Sequence, residues 1–288
     1  MGKDNIYWVD GEFLPASEVK IPVGDLAFTR GYAGFDAART YQRWPFLLDQ
    51  HIERFFGTCE GMWMQVPVSR QELRKIVLDT VEKSTHKECL IRFYLTGGLA
   101  SGFIPEPGRQ SLLVMVDEMK GVSEELLQGG IRLFPGTGQR NFPAIKSTDY
   151  HAAVMNTIVA RQQGFHEMIF LNDQNGVLEG STFNFGVWAN EVAVIPEAEV
   201  LEGLTMKFCL ELLNEAGVKV ERRSVTLDEL KDAEEVFITS STRELLPVVQ
   251  VGDVQIGSGK PGDWVRNFLE KFQQKATQRC LEEKEKGV

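Results

Sequence analysis

Residues 167–184, Glu-Met-Ile-Phe-Leu-Asn-Asp-Gln-Asn-Gly-Val-Leu-Glu-Gly-Ser-Thr-Phe-Asn, constrain the fold more tightly than any other stretch of the chain. Met168 to Leu171 is apolar and β-prone, Asp173-Gln-Asn-Gly carries turn chemistry, and Val177 onward reads as the returning strand. The hairpin places Glu179 just after the turn, between Leu178 and Gly180-Ser-Thr. Alone, a carboxylate there reads as a surface group. Ser181, Thr182 and Asn184 are the neighbouring donors that would keep it ionised inside a site.

Elsewhere, strands and helices mix without a repeat. Ile6 to Pro15 reads as a hairpin turning at Asp10-Gly11. Phe46-Leu-Leu reads as a short buried strand, and Asp49 as the cap of the helix that follows. Ser69 and Glu72 have the spacing of a capping box. Runs 90–96 and 111–116 are consecutive strands joined by a Gly/Pro-rich loop. The spacing predicts a helix from Tyr150 to Gln163, ended by Gly164; with little charge in its first two turns, it reads as buried. The expected fold is α+β in two domains, 1–118 and 122–288, with the polar stretch from Asp117 to Gly121 as linker.

A net charge of −10 with no basic stripe argues against a nucleic-acid surface. No apolar run approaches the ~20 residues of a membrane helix, and the first residues lack a secretory h-region. Cys59, Cys89, Cys209 and Cys280 form no CxxC pair, which reads as free thiols in a reducing cytoplasm. His51, His86, His151 and His166 show no ligand spacing with them, so no metal site is expected.

Lys146 lies thirty-three residues before Glu179, after a Gly/Pro-rich loop. A surface lysine is the ordinary reading. Beside an apolar wall, however, desolvation would favour the neutral, nucleophilic amine. An amine that condenses with an aldehyde, and a carboxylate that holds a pyridinium proton, together match the needs of pyridoxal 5'-phosphate. Three features could take its phosphate: the glycine turn Gly203-Leu204-Thr205 opening a helix, the run Ser240-Ser241-Thr242, and Arg54. No GxGxxG or Walker A loop is present to support a dinucleotide or ATP.

Taken in order, several blocks resemble the class IV aminotransferase family, the type IV fold of pyridoxal phosphate enzymes. They are the run from Asp25 to Phe35, Asp-Ala-Ala-Arg-Thr-Tyr at 36–41, His51-Ile-Glu-Arg54, Lys146 with its helix, 167–184, 201–205, 233–241, Pro247-Val and 259–262. The resemblance implies a cofactor at a domain interface and a homodimer. Lys146 becomes the Schiff-base lysine and proton carrier, and Glu179 the partner of the pyridine nitrogen. Arg54, the main-chain N–H groups of Leu204 and Thr205, and Ser241 with Ser240 become the phosphate ligands. The implied reaction moves an amino group between an amino acid, branched-chain-like, and a 2-keto acid. The alternatives are aminodeoxychorismate lyase, a D-amino-acid or R-amine transaminase, and a non-catalytic cofactor binder. Arg30 stands where a pocket tyrosine is usual, with Tyr32 two residues on. Arg39 and Arg92 match pocket arginines, and Tyr150 precedes His151 near the cofactor's phenolic oxygen. Arg30 or Arg92 is the expected clamp for a substrate carboxylate. Ala37 replaces a lyase threonine, which disfavours the lyase.

Overall fold

The computed structural model describes residues 5–197 and 199–287. They divide into two compact units: residues up to 120 with 145–149 and those from 276 on, and 121–144 with 150–275. The first half of the chain changes unit between Lys120 and Gly121, and the stretch from Ile145 to Asp149 and the end of the last helix group with unit 1.

Unit 1 begins with the hairpin of β1 (Ile6–Val9) and β2 (Glu12–Pro15), followed by α1 (Leu26–Arg30), β3 (Ala33–Tyr41) and β4 (Trp44–Pro45). Helices α2 (Leu48–Gly61) and α3 (Arg70–Lys83) precede β5 (Cys89–Thr96) and β6 (Leu112–Glu118). Among the described residues the sheet runs β2-β1-β6-β5-β3-β4. Alternation along β3 explains its two faces. Asp36, Ala38 and Thr40 are buried, whereas Phe35, Ala37 and Arg39 are half-buried. The buried face belongs with Phe55, Leu73 and Val77 of the two helices and Ile91 and Phe93 of β5 in one core. Phe55 meets Phe93 edge-on at 5.0 Å, and burial of each ring is worth about 1.5–3 kcal/mol. The capping box of α3 forms as expected. Helix α2, by contrast, starts after Leu47 in a left-handed conformation with no side-chain cap. Asp49 sits in its first turn, paired instead with Arg74 at 3.1 Å. Strand β4 is Trp44–Pro45, so the expected strand at Phe46 falls just after it.

Unit 2 comprises α4 (Glu124–Gly129), β7 (Ile131–Gly136), α5 (His151–Gln162), β8 (Glu167–Leu171), β9 (Val177–Gly180), β10 (Asn184–Ala189), β11 (Val192–Ile195), α6 (Leu204–Glu215), β12 (Lys219–Arg222), β13 (Glu235–Ser240), β14 (Glu244–Val251) and β15 (Val254–Gln255). Helix α7 (Asp263–Lys286) begins in this unit. The sheet runs β12-β11-β10-β13-β14-β7-β8-β9 among the described residues, with β15 on β14. The β8–β9 hairpin forms as read, with Ile169 opposite Gly180. Helix α5 departs from expectation. It buries Ala153 and Ala160 but leaves Val154, Met155 and Ile158 at least half exposed within the chain. Its low charge marks an apolar outer face, not a buried helix.

Candidate active site

Lys146 is built onto unit 1 by its main chain. Phe35 N–H donates to Lys146 O at 3.0 Å, Thr148 N–H to Ala33 O at 2.9 Å, and Lys146 N–H to Thr58 Oγ1 at 3.3 Å. Gly34 and Ser147 form an antiparallel bridge. The ammonium group lies 4.7 Å from the centre of the Phe35 ring, and Phe35 stacks on Tyr94 at 5.3 Å. The ring beside this lysine belongs to the half-buried face of β3 and β5, which also carries Arg39 and Arg92.

On the buried face of the same strand, Asp36 accepts from Arg54 through Nε and Nη2, both at 2.8 Å, and meets His51 Nδ1 at 2.7 Å. Burial alone would raise the Asp36 pKa. The Arg54 charge, with the hydrogen bonds from Arg54 and His51, outweighs it and holds the carboxyl far below its usual range. Burial pushes His51 down, against the pull of Asp36, so the imidazole is held toward its neutral form.

Other expected substrate residues lie in unit 1. The Tyr32 hydroxyl donates to Met62 O. Arg39 lies over the Tyr41 ring at 4.5 Å, and Arg92 pairs with Asp117. Arg30 is exposed at the end of α1, donating to Thr29 O at 2.8 Å with its guanidinium over Phe103.

Unit 2 carries the remaining candidates. Glu179 is 5% exposed on β9. One carboxylate oxygen faces Arg140 Nη1 at 3.4 Å, and the other accepts from Leu201 N–H at 3.2 Å. The polar neighbours expected to serve it are employed elsewhere. Ser181 donates to Glu167, Thr182 accepts from Arg243, and Asn184 Nδ2 donates to Leu201 O at 2.7 Å. Asn184 thus acts indirectly, through the segment whose amide holds Glu179. Gly203 is the N-cap of α6 and offers no side-chain cap, so the first-turn N–H groups at Leu204 and Thr205 have no side-chain acceptor from that position. A Cβ on Gly203 would fall 1.8 Å from Asn184 Oδ1, so a larger residue there would displace the Asn184 side chain. Ser240 Oγ accepts from Arg243 N–H at 3.1 Å, which closes the turn after β13; Ser241 lies within that turn, half-buried. Next to them, Thr239 Oγ1 is buried with no hydrogen-bond partner among the described residues. Tyr150 is the N-cap residue of α5.

Sequence reasoning missed Asp36, Arg140 and Asp117. Asp36 was legible in principle, because alternation places it on the buried face of β3, where a carboxylate needs a cation. Arg140 sits in a loop and carried no comparable signal.

The chain matches the amino-transferase class IV family model over residues 33–251. It is 27% identical over 274 residues to a putative branched-chain-amino-acid aminotransferase of Methanocaldococcus jannaschii, covering 92% of this chain and 94% of that one. It is also 27% identical to a D-alanine aminotransferase of Bacillus licheniformis, covering 90% and 92%. The structure resembles a crystal structure of the T.th. branched-chain amino acid aminotransferase with pyridoxamine 5'-phosphate: TM-score 0.90, 26% identity, 96% and 95% coverage. The chain belongs to the class IV aminotransferases, with the type IV fold of pyridoxal phosphate enzymes. It is a pyridoxal phosphate-dependent transaminase.

The residues of each unit, taken by itself, are of the kinds that cofactor needs. Unit 1 has an amine over an aromatic ring. Unit 2 has a buried carboxylate, a helix N-terminus without a side-chain cap and a buried hydroxyl with no hydrogen-bond partner among the described residues. The last two are features that an anion would satisfy.

Proposed function

We propose that this transaminase moves an amino group between an amino acid with an aliphatic, branched-chain-like side chain and a 2-keto acid. Lys146 is the residue that anchors the cofactor and moves the substrate's alpha proton. The observation carrying this assignment is its placement: its carbonyl accepts from Phe35 of β3, its N–H donates to Thr58 of α2, and its amine faces an aromatic ring. Bound pyridoxal phosphate supplies an electron sink for the bond broken at the alpha carbon. Glu179 holds the proton on the ring nitrogen; its two oxygens, one facing Arg140 and one accepting from the Leu201 amide, support that role by fixing the carboxylate's position. Arg54, the N–H groups of Leu204 and Thr205, and Ser240 and Ser241 hold the phosphate.

Relatives named for branched-chain amino acids and the apolar wall of Phe35, Ala37 and Tyr94 support the aliphatic preference. Arg30 is the candidate clamp for the substrate carboxylate, because Asp117 already neutralises Arg92. Tyr32, Arg39 and Tyr150 complete the candidate substrate shell. The working form is a homodimer in the cytoplasm. Exposed Phe28, Phe103 and Ile104 of unit 1 and the bare face of α5 support the former. Four free, buried cysteines support the latter.

Borohydride reduction of the cofactor-loaded protein followed by peptide mapping tests the assignment. The label is expected on Lys146, and a label elsewhere would overturn it. A half-transamination screen with L-amino acids, D-amino acids and R-amines, followed by loss of the absorbance near ~410–430 nm, then reads the donor class.

A further inference from the structure

The turn between β13 and β14 carries Ser240 and Ser241, and its own residue types do not account for its shape. Ser240 pairs with Glu244 across the hairpin, so Ser241, Thr242 and Arg243 make the connection. Glu244 then takes φ 56, the left-handed region that glycine adopts freely and a residue with a Cβ adopts only at a cost. Such a conformation persists where the surroundings hold it. Glu244 supplies one hold, accepting from Gln273 of α7 at 2.6 Å.

Arg243 supplies the other. Its main-chain N–H donates to Ser240 Oγ inside the turn, but its guanidinium leaves the hairpin. Nη2 donates to Glu167 Oε1 at 2.6 Å and Nη1 to Thr182 Oγ1 at 2.9 Å, while the fork lies 5.8 Å from the centre of the Phe183 ring. Glu167 uses its second oxygen to accept from Ser181 at 3.1 Å. Glu167 opens β8, and Ser181, Thr182 and Phe183 link β9 to β10. One arginine thus ties the serine-bearing turn to both ends of the segment that carries Glu179, all within unit 2. The Arg243–Glu167 pair is largely shielded from solvent, so salt screens it little.

We propose that Arg243 is a positioning residue for the cofactor phosphate, acting through Ser240 and Ser241. With the brace intact, the turn is preset for the anion. Without it, the turn relaxes and must be reordered on binding, which costs affinity. The proposal rests on the reading of Ser240 and Ser241 as phosphate ligands.

Calorimetric titration of the cofactor-free, full-length chain with pyridoxal 5'-phosphate and with pyridoxal, which lacks the phosphate, tests it. Arg243→Met should weaken the phosphorylated ligand by roughly tenfold and leave pyridoxal within about twofold. Glu167→Gln should act in the same selective direction, because it loosens the brace from its far end. Arg243→Met combined with Ser241→Ala should be no worse than the poorer single variant, since one acts through the other. A folded Arg243→Met protein that kept the wild-type preference for the phosphorylated ligand would overturn the proposal. So would a Glu167→Gln protein that bound it more tightly, because Arg243 would then be a direct ligand that Glu167 restrains. If Ser240→Ala combined with Ser241→Ala kept the preference, the reading of the serines would fail, and the proposal with it. Loss of preference in the serine variants but not in Arg243→Met or Glu167→Gln would overturn the proposal alone.

Discussion

Asp36 grips Arg54 with both carboxylate oxygens at 2.8 Å, from a strand position that is wholly buried. The arginine side chain is 15% exposed, so this carboxylate fixes the direction of a cation that still reaches the surface. Asp36 is a positioning residue for the proposed phosphate ligand. Asp36→Ala would leave Arg54 and His51 without their shared partner, at a cost of about 3 kcal/mol or more. Urea denaturation of the cofactor-free protein measures that loss. Arg54→Gln should weaken cofactor binding with a smaller loss of fold stability, which separates the two roles.

The same cluster sets an acid limit. His51 takes a proton less readily folded than unfolded, so the unfolded chain binds more protons as pH falls through the ordinary value of 6.5. Its contribution is therefore complete above that pH and declines below it. Asp36, held far below its usual 3.8, adds a second decline as pH falls through and below that value. The urea midpoint of the cofactor-free protein should fall in these two phases. His51→Gln should shrink the upper phase, to which His166 also contributes, and keep the lower one.

Glu179 and Arg140 form the corresponding pair in unit 2. Glu179→Gln keeps the shape of the side chain but removes the charge proposed to hold the ring proton. The expected result is retained cofactor with kcat lowered by about 100-fold or more. Arg140→Met should produce a milder loss, because the Leu201 amide still holds one oxygen. Steady-state kinetics beside a cofactor titration distinguishes a loss of chemistry from a loss of binding.

Gly203 allows a steric test of the α6 N-terminus. Its backbone lies at φ −72, open to any residue, so the restriction is the contact with Asn184 alone. Gly203→Ala should weaken cofactor binding by displacing the helix start. Asn184→Ala should be harmful by itself, because it releases Leu201 O. Together they should cost less than the sum of the two, and the double-mutant cycle in cofactor affinity reads that coupling.

The legible features were local ones. Turn chemistry at Asp10-Gly11 and Asp173-Gln-Asn-Gly, and capping chemistry at Ser69 and Glu72, act over a few residues, and the structure forms each of these elements. Lys146 and Glu179 stood out as candidates because short blocks carry them. Their partners were not. Asp36 reaches Arg54 across 18 positions, Arg140 reaches Glu179 across 39, and Arg92 reaches Asp117 across 25. A single sequence contains no signal for pairings set by sheet register and loop path. The reading of α5 failed for a related reason: an apolar face looks the same whether its own chain or a second chain covers it.

Helix α5 therefore provides the most direct test of assembly. Val154 and Ile158 are one turn apart, and Met155 lies beside them. All three are at least half exposed within the chain. Such a face is a poor match for water and a good one for a second copy. Ile158→Glu places a charge at its centre without touching the buried Ala153 or Ala160. Sedimentation should show the wild-type chain as a dimer and this variant as predominantly monomer, with an unchanged circular dichroism spectrum. A variant that remained dimeric at micromolar concentration would move the interface elsewhere, and Phe28→Glu and Phe103→Glu would then test the exposed apolar side chains of unit 1.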